Sequence, residues 1–406
     1  MPADPFGLGR ETLIAKSGVR RVFTPHQPIS TLDLLFGRQE EVRRLVEALN
    51  TPGQHVLLYG ERGVGKSSLA NVVADAGRHN LRKLLFKKRC DSSDTFNTIM
   101  TGPLREVGAD LTLVQVTQGD SSRSSAGLSA GALSFGADSA SEVVATYAAS
   151  GQLSPSSVAE ALSDLDAILL IDEADAIKDT ADRRRLAELI KHLSDDGSVF
   201  KVMVVGIAQT GDELTAAHPS VQRCLRETKL SRMTKAELRE IVEIGSETLG
   251  LRFDPQVVSS IVELSAGYPH FTHLLALKCA EEAIVAGRSE IGPKHLEEAM
   301  RLAVSDAEGT LQRQYDDAIR SVVPMYRYIL MAAARFGGEE IESKALRSEI
   351  EKITSEPISQ GSLNNYLQRL VSDDGSTTVM RRLGKGHYSF TDPRMPSFVR
   401  IANQMI

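Results

Sequence analysis

The sequence predicts an α/β fold: a parallel sheet with helices on both faces, then an all-helical unit, then a small C-terminal unit of three helices and a β-hairpin. Three observations carry this. Short apolar runs at 55–59, 84–86, 167–171 and 199–207 alternate with helix-period segments, the pattern of βαβ units and a parallel sheet. Beyond Leu230 the apolar residues recur at helical spacing as far as Ala303. Helix-period segments at 325–335, 343–353 and 359–371 then precede a two-stranded pattern over 379–390 about Gly384, Lys385 and Gly386, the order of a winged helix-turn-helix.

A chain of 406 residues exceeds one ordinary core, so several packed units are expected. The reading divides it into an arm at 1–30, the sheet-containing unit at 31–230, a helical unit at 231–308 and the C-terminal unit at 309–406. With 42% hydrophobic and 25% charged residues the composition is that of a globular protein. A net charge of -6 supplies no overall cationic field, so contact with nucleic acid or anionic lipid has to be local. Residues 1–20 lack the apolar stretch of a signal peptide and no run of about 18 apolar residues occurs, so a cytoplasmic location and no membrane partner are expected. Cys90, Cys224 and Cys279 are widely spaced and odd in number, which excludes a disulfide framework or a zinc site.

Element by element, the arm is punctuated by Pro25 and Pro28 and reads as irregular. Val42, Leu45, Val46 and Leu49 form one face of a helix over 40–49, closed by Asn50, Thr51, Pro52 and Gly53. Buried strands follow at 55–59 and 84–86. From 117 to 152 the composition turns to Ser, Gly and Ala and reads as an insertion loop. The strand at 167–171 leads to a helix with Leu186, Leu189, Ile190 and Leu193 on one face, and the strand at 199–207 is rich in Val. Thr234 and Glu237 are spaced as a capping box ahead of Leu238, Ile241 and Val242.

Gly60-Glu61-Arg62-Gly63-Val64-Gly65-Lys66-Ser67 fits the P-loop pattern at every fixed position and sits between a strand and a helix, as that motif requires. Its glycines let backbone N–H groups turn inward around phosphate oxygens while the helix points its positive end at them. These residues and Ser68 are the candidate nucleotide ligands, with Lys66 facing the β and γ phosphates and Ser67 giving a neutral oxygen to Mg²⁺. The apolar run 168–171 delivers Asp172 and Glu173 at its C-terminal end, the edge of an open α/β sheet where ligands bind. Asp172 is placed to hold the Mg²⁺ shell and Glu173 to accept a proton from the attacking water. Asp175 reads as the cap or first-turn acid of the next helix.

With both motifs placed, residues 31–305 resemble an AAA+ ATPase, nearest the origin-recognition initiator branch, and the resemblance extends plausibly to the end of the chain. It implies a helical lid, ATP and Mg²⁺ as cofactors, and ATP hydrolysis. Phe36-Gly37-Arg38-Gln39-Glu40 is similar to the branch's adenine-side motif, making Arg38 a pocket residue. Gln209, or Thr210 beside it, occupies the place of the polar sensor 1 residue. Arg223, or Arg226, corresponds to the arginine finger that completes a neighbouring subunit's site, which implies a homo-oligomer. Where many relatives carry Gly-x-x-Arg in the lid, this chain has Gly267-Tyr268-Pro269-His270, so His270 is either the sensor 2 residue or a helix-start side chain at a domain junction.

The resemblance favours a nucleotide-driven switch or assembly platform. Its C-terminal unit meets either duplex DNA, as in an initiator or transposition regulator, or an effector protein, as in a signalling or phage-defence ATPase. For DNA speak Ser359, Gln360, Ser362, Asn364, Asn365 and Gln368 on the last predicted helix and Arg381, Arg382 and Lys385 on the hairpin. Against it stand Asp373 and Asp374 between them. A small-molecule kinase is disfavoured, since no second substrate site is evident.

Overall fold

The computed structural model describes residues 10–29, 32–108, 112–118, 143–148, 153–207, 219–306, 309–320, 323–337, 340–371 and 378–405. Its sheet has five parallel strands, drawn from β1 (His55–Gly60), β2 (Leu84–Arg89), β5 (Ala167–Asp172), β6 (Lys201–Gly206) and β7 (Leu225–Leu230), in the order β2-β5-β6-β1-β7. Two further strands, β3 (Thr112–Gln118) and β4 (Val143–Ala148), pair antiparallel as a separate ribbon.

The alternation of a pleated strand sends successive side chains to opposite faces, and both faces are covered. Val56, Leu58, Ile168, Leu170, Met203 and Val205 face α2 (Gln39–Asn50) and α3 (Lys66–Asn80). Leu57, Leu169, Ile171, Val202 and Val204 face α4 (Phe96–Glu106), α5 (Pro155–Leu162) and α6 (Thr180–Asp195). Each such side chain contributes roughly 1.5–3 kcal/mol by leaving water, which is why the central strands read as unbroken apolar runs.

The edge strands depart from that pattern. β2 continues past its apolar start through Lys87, Lys88 and Arg89, and β7 escaped the sequence reading because only its ends, Leu225 and Leu230, are buried. A strand at a sheet edge needs no continuous apolar face, and charge there discourages further pairing. The strand expected at 199–207 is shorter, because Ser198 turns the chain by bonding the Phe200 N–H. The insertion expected from 117 to 152 is flanked by β3 and β4, so its edges are paired strand; residues 119–142 and 149–152 lie outside those described. Asp179 caps α6, accepting from the Ala181 N–H at 2.8 Å, while Asp175 is the first-turn acid of a short 3-10 helix, Ala174–Ala176, that directly follows β5.

The helical unit comprises α7 (Lys235–Leu249), α8 (Pro255–Ser265), α9 (Pro269–Val285) and α10 (Pro293–Asp306), with a two-residue parallel pairing of β8 (Arg252–Phe253) and β9 (Glu290–Ile291). The capping box forms: Thr234 Oγ1 accepts from the Glu237 N–H at 3.2 Å and Glu237 Oε2 accepts from the Thr234 N–H at 2.6 Å. The arm is not irregular throughout. Arg10–Val22 is a helix, α1, packed on α7 and α9. Its apolar face is only Val19 and Val22, continued by Phe23, too short to register as a period. Phe23 is fully buried against Gly245 of α7, where a Cβ would approach its ring to 2.5 Å. Arg20 Nε bonds the buried Glu281 carboxylate at 2.6 Å.

The C-terminal unit runs α11 (Gly309–Ile319), α12 (Met325–Ala334), β10 (Ile341–Glu342), α13 (Ser343–Thr354), α14 (Gln360–Val371), β11 (Met380–Gly384), β12 (His387–Phe390) and α15 (Met395–Ala402). β10, β12 and β11 form a three-stranded antiparallel sheet. Gly386, at φ +80°, makes the tight turn between the last two strands. The unexpected α15 returns the chain to the helical unit, packing on α8 and α10 and donating from Ser397 Oγ to Ser265 O at 3.0 Å.

His55 opens β1 fully buried, and its Nδ1 accepts from the Val202 N–H at 3.0 Å. Burial, assisted by the Lys201 charge, pushes its pKa from 6.5 down to about 3. Between those values the unfolded chain binds a proton that the folded protein refuses, so stability falls as pH falls through that window, by up to about 1.4 kcal/mol per pH unit. Urea unfolding across pH 4–7 should show a steeper loss in wild type than in His55→Asn; parallel profiles would refute the assignment.

Candidate nucleotide site

A cavity of about 590 Å³ opens at the C-terminal ends of β1, β5 and β6. Its floor is the loop between β1 and α3, and Arg62 through Ser68 all line it, whereas Gly60 and Glu61 stand behind. Gly63 and Gly65 take φ of +85° and +95°, values open to glycine at little cost. Gly60 is fixed for another reason: a Cβ would lie 2.3 Å from the Leu230 carbonyl oxygen of β7. Lys66 Nζ, at the start of α3, donates to Gly60 O at 3.0 Å and Glu61 O at 2.8 Å. Burial lowers its pKa, opposed by the charges of Asp175 and Asp172.

β5 delivers the acids beside the loop. Burial raises the Asp172 pKa, while a hydrogen bond from Ser67 opposes that shift. Ser67 and Asp172 thus stand together, and the pair fits Mg²⁺, which takes one or two protein oxygens and fills its octahedron with phosphate and water. Among the described residues no group of three or more His, Cys, Asp or Glu forms a metal cage of its own. Glu173 adopts φ +55°, an uncommon conformation for a non-glycine residue, with its N–H on Asp172 Oδ1 at 2.9 Å. Its Oε1 is held at 2.7 Å by Arg89 Nη2.

The remaining predicted residues divide. Arg38 lines the cavity, but its guanidinium is bonded elsewhere: Nη1 to Glu41 Oε1 at 2.9 Å and Nη2 to Ser231 O at 2.7 Å. It therefore ties the helix before the loop to the start of the helical unit. His270 also lines the cavity, with Nδ1 2.9 Å from Pro25 O. Ser68 Oγ accepts from the Ile29 N–H at 3.1 Å. Arg223 is exposed, pairs with Asp195 at 2.7 Å and does not line this chain's own cavity; Arg226 is exposed on β7. Gln209 and Thr210 fall outside the described residues.

Three contributors went unseen in the sequence. The arm supplies a wall, Thr24 to Ile29, tied to the lid by a bond from the Thr24 N–H to His273 Nδ1 at 3.2 Å. Its only sequence signal was the pair of prolines. Arg89 reaches Glu173 from the end of an edge strand, and its position follows from the β2–β5 register that places it beside Asp172. Arg394 enters from the C-terminal unit and carries no local motif.

The Aeropyrum pernix ORC2 protein, with ADPNP and ADP, is similar at TM-score 0.53 and 15% identity, over 95% of this chain and 97% of that one. A Walker-type ATPase of Pyrococcus abyssi gives 0.49 at 17% identity (93% and 99% covered), and the Aeropyrum pernix ORC1 protein in complex with DNA gives 0.46 at 18% (95% and 98%). No curated protein matches the chain. The ORC2 likeness bears on the fold alone, a P-loop sheet followed by a helical unit and a smaller C-terminal unit. The model described as novel STAND NTPase 1 matches residues 28–373, from the arm's pocket wall through α14, and on that match the chain belongs to the novel STAND NTPase 1 family.

Proposed function

We propose that this NTPase binds and hydrolyses ATP with Mg²⁺ and works as an oligomeric, nucleotide-dependent switch or assembly platform whose C-terminal unit is a winged helix that contacts duplex DNA. One observation carries the reading: the cavity containing Lys66, Ser67, Asp172 and Glu173 is walled by the arm, the helical unit and a residue of the C-terminal unit. Occupancy of such a site is coupled to the relative placement of everything that lines it.

In this reading Lys66 exchanges its bonds to Gly60 O and Glu61 O for phosphate oxygens, and the loop's backbone N–H groups hold the rest of the chain of phosphates. Mg²⁺ at Ser67 and Asp172 would neutralise charge between the β and γ phosphates. Glu173, once turned from Arg89, takes a proton from the water that attacks the γ phosphorus, and the bond to the β–γ bridging oxygen breaks. Arg223, exposed and outside its own cavity, is available to a neighbour's site.

The DNA reading rests on a cleft between α14 and the hairpin, lined by Gln360, Asn364, Gln368, Arg382 and Lys385. Amide side chains there can pair with base edges and the two cations with phosphate.

Three experiments test this. Lys66→Ala should lose most ATP binding while remaining folded, and Glu173→Gln should keep binding but lose turnover by about 10²- to 10⁴-fold, read by titration and phosphate release. Undiminished affinity in the first or full turnover in the second removes the corresponding role. Arg223→Ala should bind ATP and hydrolyse it poorly, and mixing it with Lys66→Ala should restore activity because each subunit supplies what the other lacks; no recovery despite co-assembly rejects a finger acting across subunits. Arg382→Ala with Lys385→Ala should weaken duplex binding and flatten its salt dependence by about two phosphate contacts. Absence of DNA binding by wild type at low salt, with and without ATP, would replace DNA by an effector protein as partner.

A further inference from the structure

The cleft between α14 and the hairpin contains two amide side chains that fix each other. Gln360 and Asn364 stand one helical turn apart on the same side of α14. Gln360 Nε2 donates to Asn364 Oδ1 at 3.0 Å and also to Ser343 Oγ, so both of its hydrogens are spent. Ser343 is the buried first residue of α13, and its own N–H donates to Gly386 O in the hairpin turn at 2.8 Å. Three elements thereby hold the Gln360 amide in one orientation, while Asn364 stands exposed at the cleft.

The atoms left over define what this pair offers a ligand. With its two hydrogens spent, Gln360 can only accept, through Oε1, whereas Asn364, with Oδ1 engaged, offers the hydrogens of Nδ2. Turning both amides over would exchange these roles between the residues and would still set one acceptor beside one donor. In the major groove adenine alone among the four bases carries a neighbouring acceptor and donor on its own edge, N7 and the N6 amino group. Guanine shows two acceptors, cytosine one donor, and thymine one acceptor beside a methyl. Arg382 and Lys385 line the same cleft from the hairpin and suit the phosphates that flank a base read in this way.

We propose that Gln360 and Asn364 form a preassembled reader of adenine, Asn364 donating to N7 and Gln360 accepting from the N6 amino group, with Ser343 as the positioning residue that holds Gln360. A pair already oriented loses little side-chain freedom when the base arrives, so the discrimination belongs to the pair and not to either amide alone. This rests on the duplex-DNA reading above, and the test separates the two.

The experiment is selection by the full chain from a pool of random-sequence duplexes at low salt, with and without ATP. Titration of the selected duplex then follows, with the other base pairs substituted at each position. Wild type should enrich adenine at a fixed position, and replacing that A·T by G·C should weaken binding about 5- to 100-fold. Asn364→Ala and Ser343→Ala should lose discrimination at that position and at no other. Asn364→Asp keeps an acceptor for Gln360 Nε2 but replaces the donor by a second acceptor, so its preference should move to cytosine, whose N4 amino group donates. Arg382→Ala, by contrast, should weaken every duplex alike. Wild type that binds duplexes without favouring adenine, or variants at Asn364 that keep the wild-type preference, overturns the proposal while leaving DNA contact standing. Wild type that binds no duplex overturns both.

Discussion

A loop that must present its backbone to an anion cannot also use that backbone to hold its own shape, so the shape has to be imposed from outside. The segment from Gly60 to Ser67 is held in this way on every side. Gly60 is pressed against the Leu230 carbonyl of β7, which leaves no room for a Cβ. Glu61 accepts from Arg232 Nε and from Tyr268 Oη, both at 2.9 Å, and the Arg232 guanidinium lies over the Tyr268 ring at 4.9 Å. Arg232 also donates to Gly337 O of the C-terminal unit. Gly63 is covered by the Arg394 stem. One loop is thereby joined to an edge strand, the lid and the last unit of the chain.

That arrangement explains where charge is spent. Arg38, Arg20 and Arg232 are bonded to partners in other elements and fasten the arm, the sheet unit and the lid to one another. Among the described residues Arg62, Lys66, Arg89 and Arg394 line the cavity with the acids Asp172, Glu173 and Asp175, and Arg394 is paired with Asp392. The Arg89–Glu173 pair adds a resting position for the proposed base, reached through a strained backbone at Glu173.

The packing binds the units more closely than a division of the sequence implies. A continuous apolar cluster runs from one face of the sheet through Phe23 of the arm and Tyr268 of the lid to Phe398 of α15. The other face of the sheet has a cluster of its own, built from α4, α5 and α6. Among the described residues, the lid and the C-terminal unit pack into the first cluster and contribute nothing to the second.

Local rules determined what depends on a residue and its immediate neighbours. The P-loop glycines, the apolar runs of β1, β5 and β6, the acids at the end of β5 and the capping box at Thr234 were all legible, because each is a short-range requirement of backbone geometry or burial. The sequence also determined the family's fold, through two motifs at the ends of two strands. It was silent on β7, on α1 and on α15, whose apolar faces are short or borne by edge positions, and it could not rank Arg38 against Arg394. Both are arginines without a diagnostic neighbour, and what each meets at the cavity depends on residues far apart in the chain, Ser231 for Arg38 and Gly63 for Arg394. Those contacts exist only once the chain has closed on itself, and only the tertiary structure could decide them.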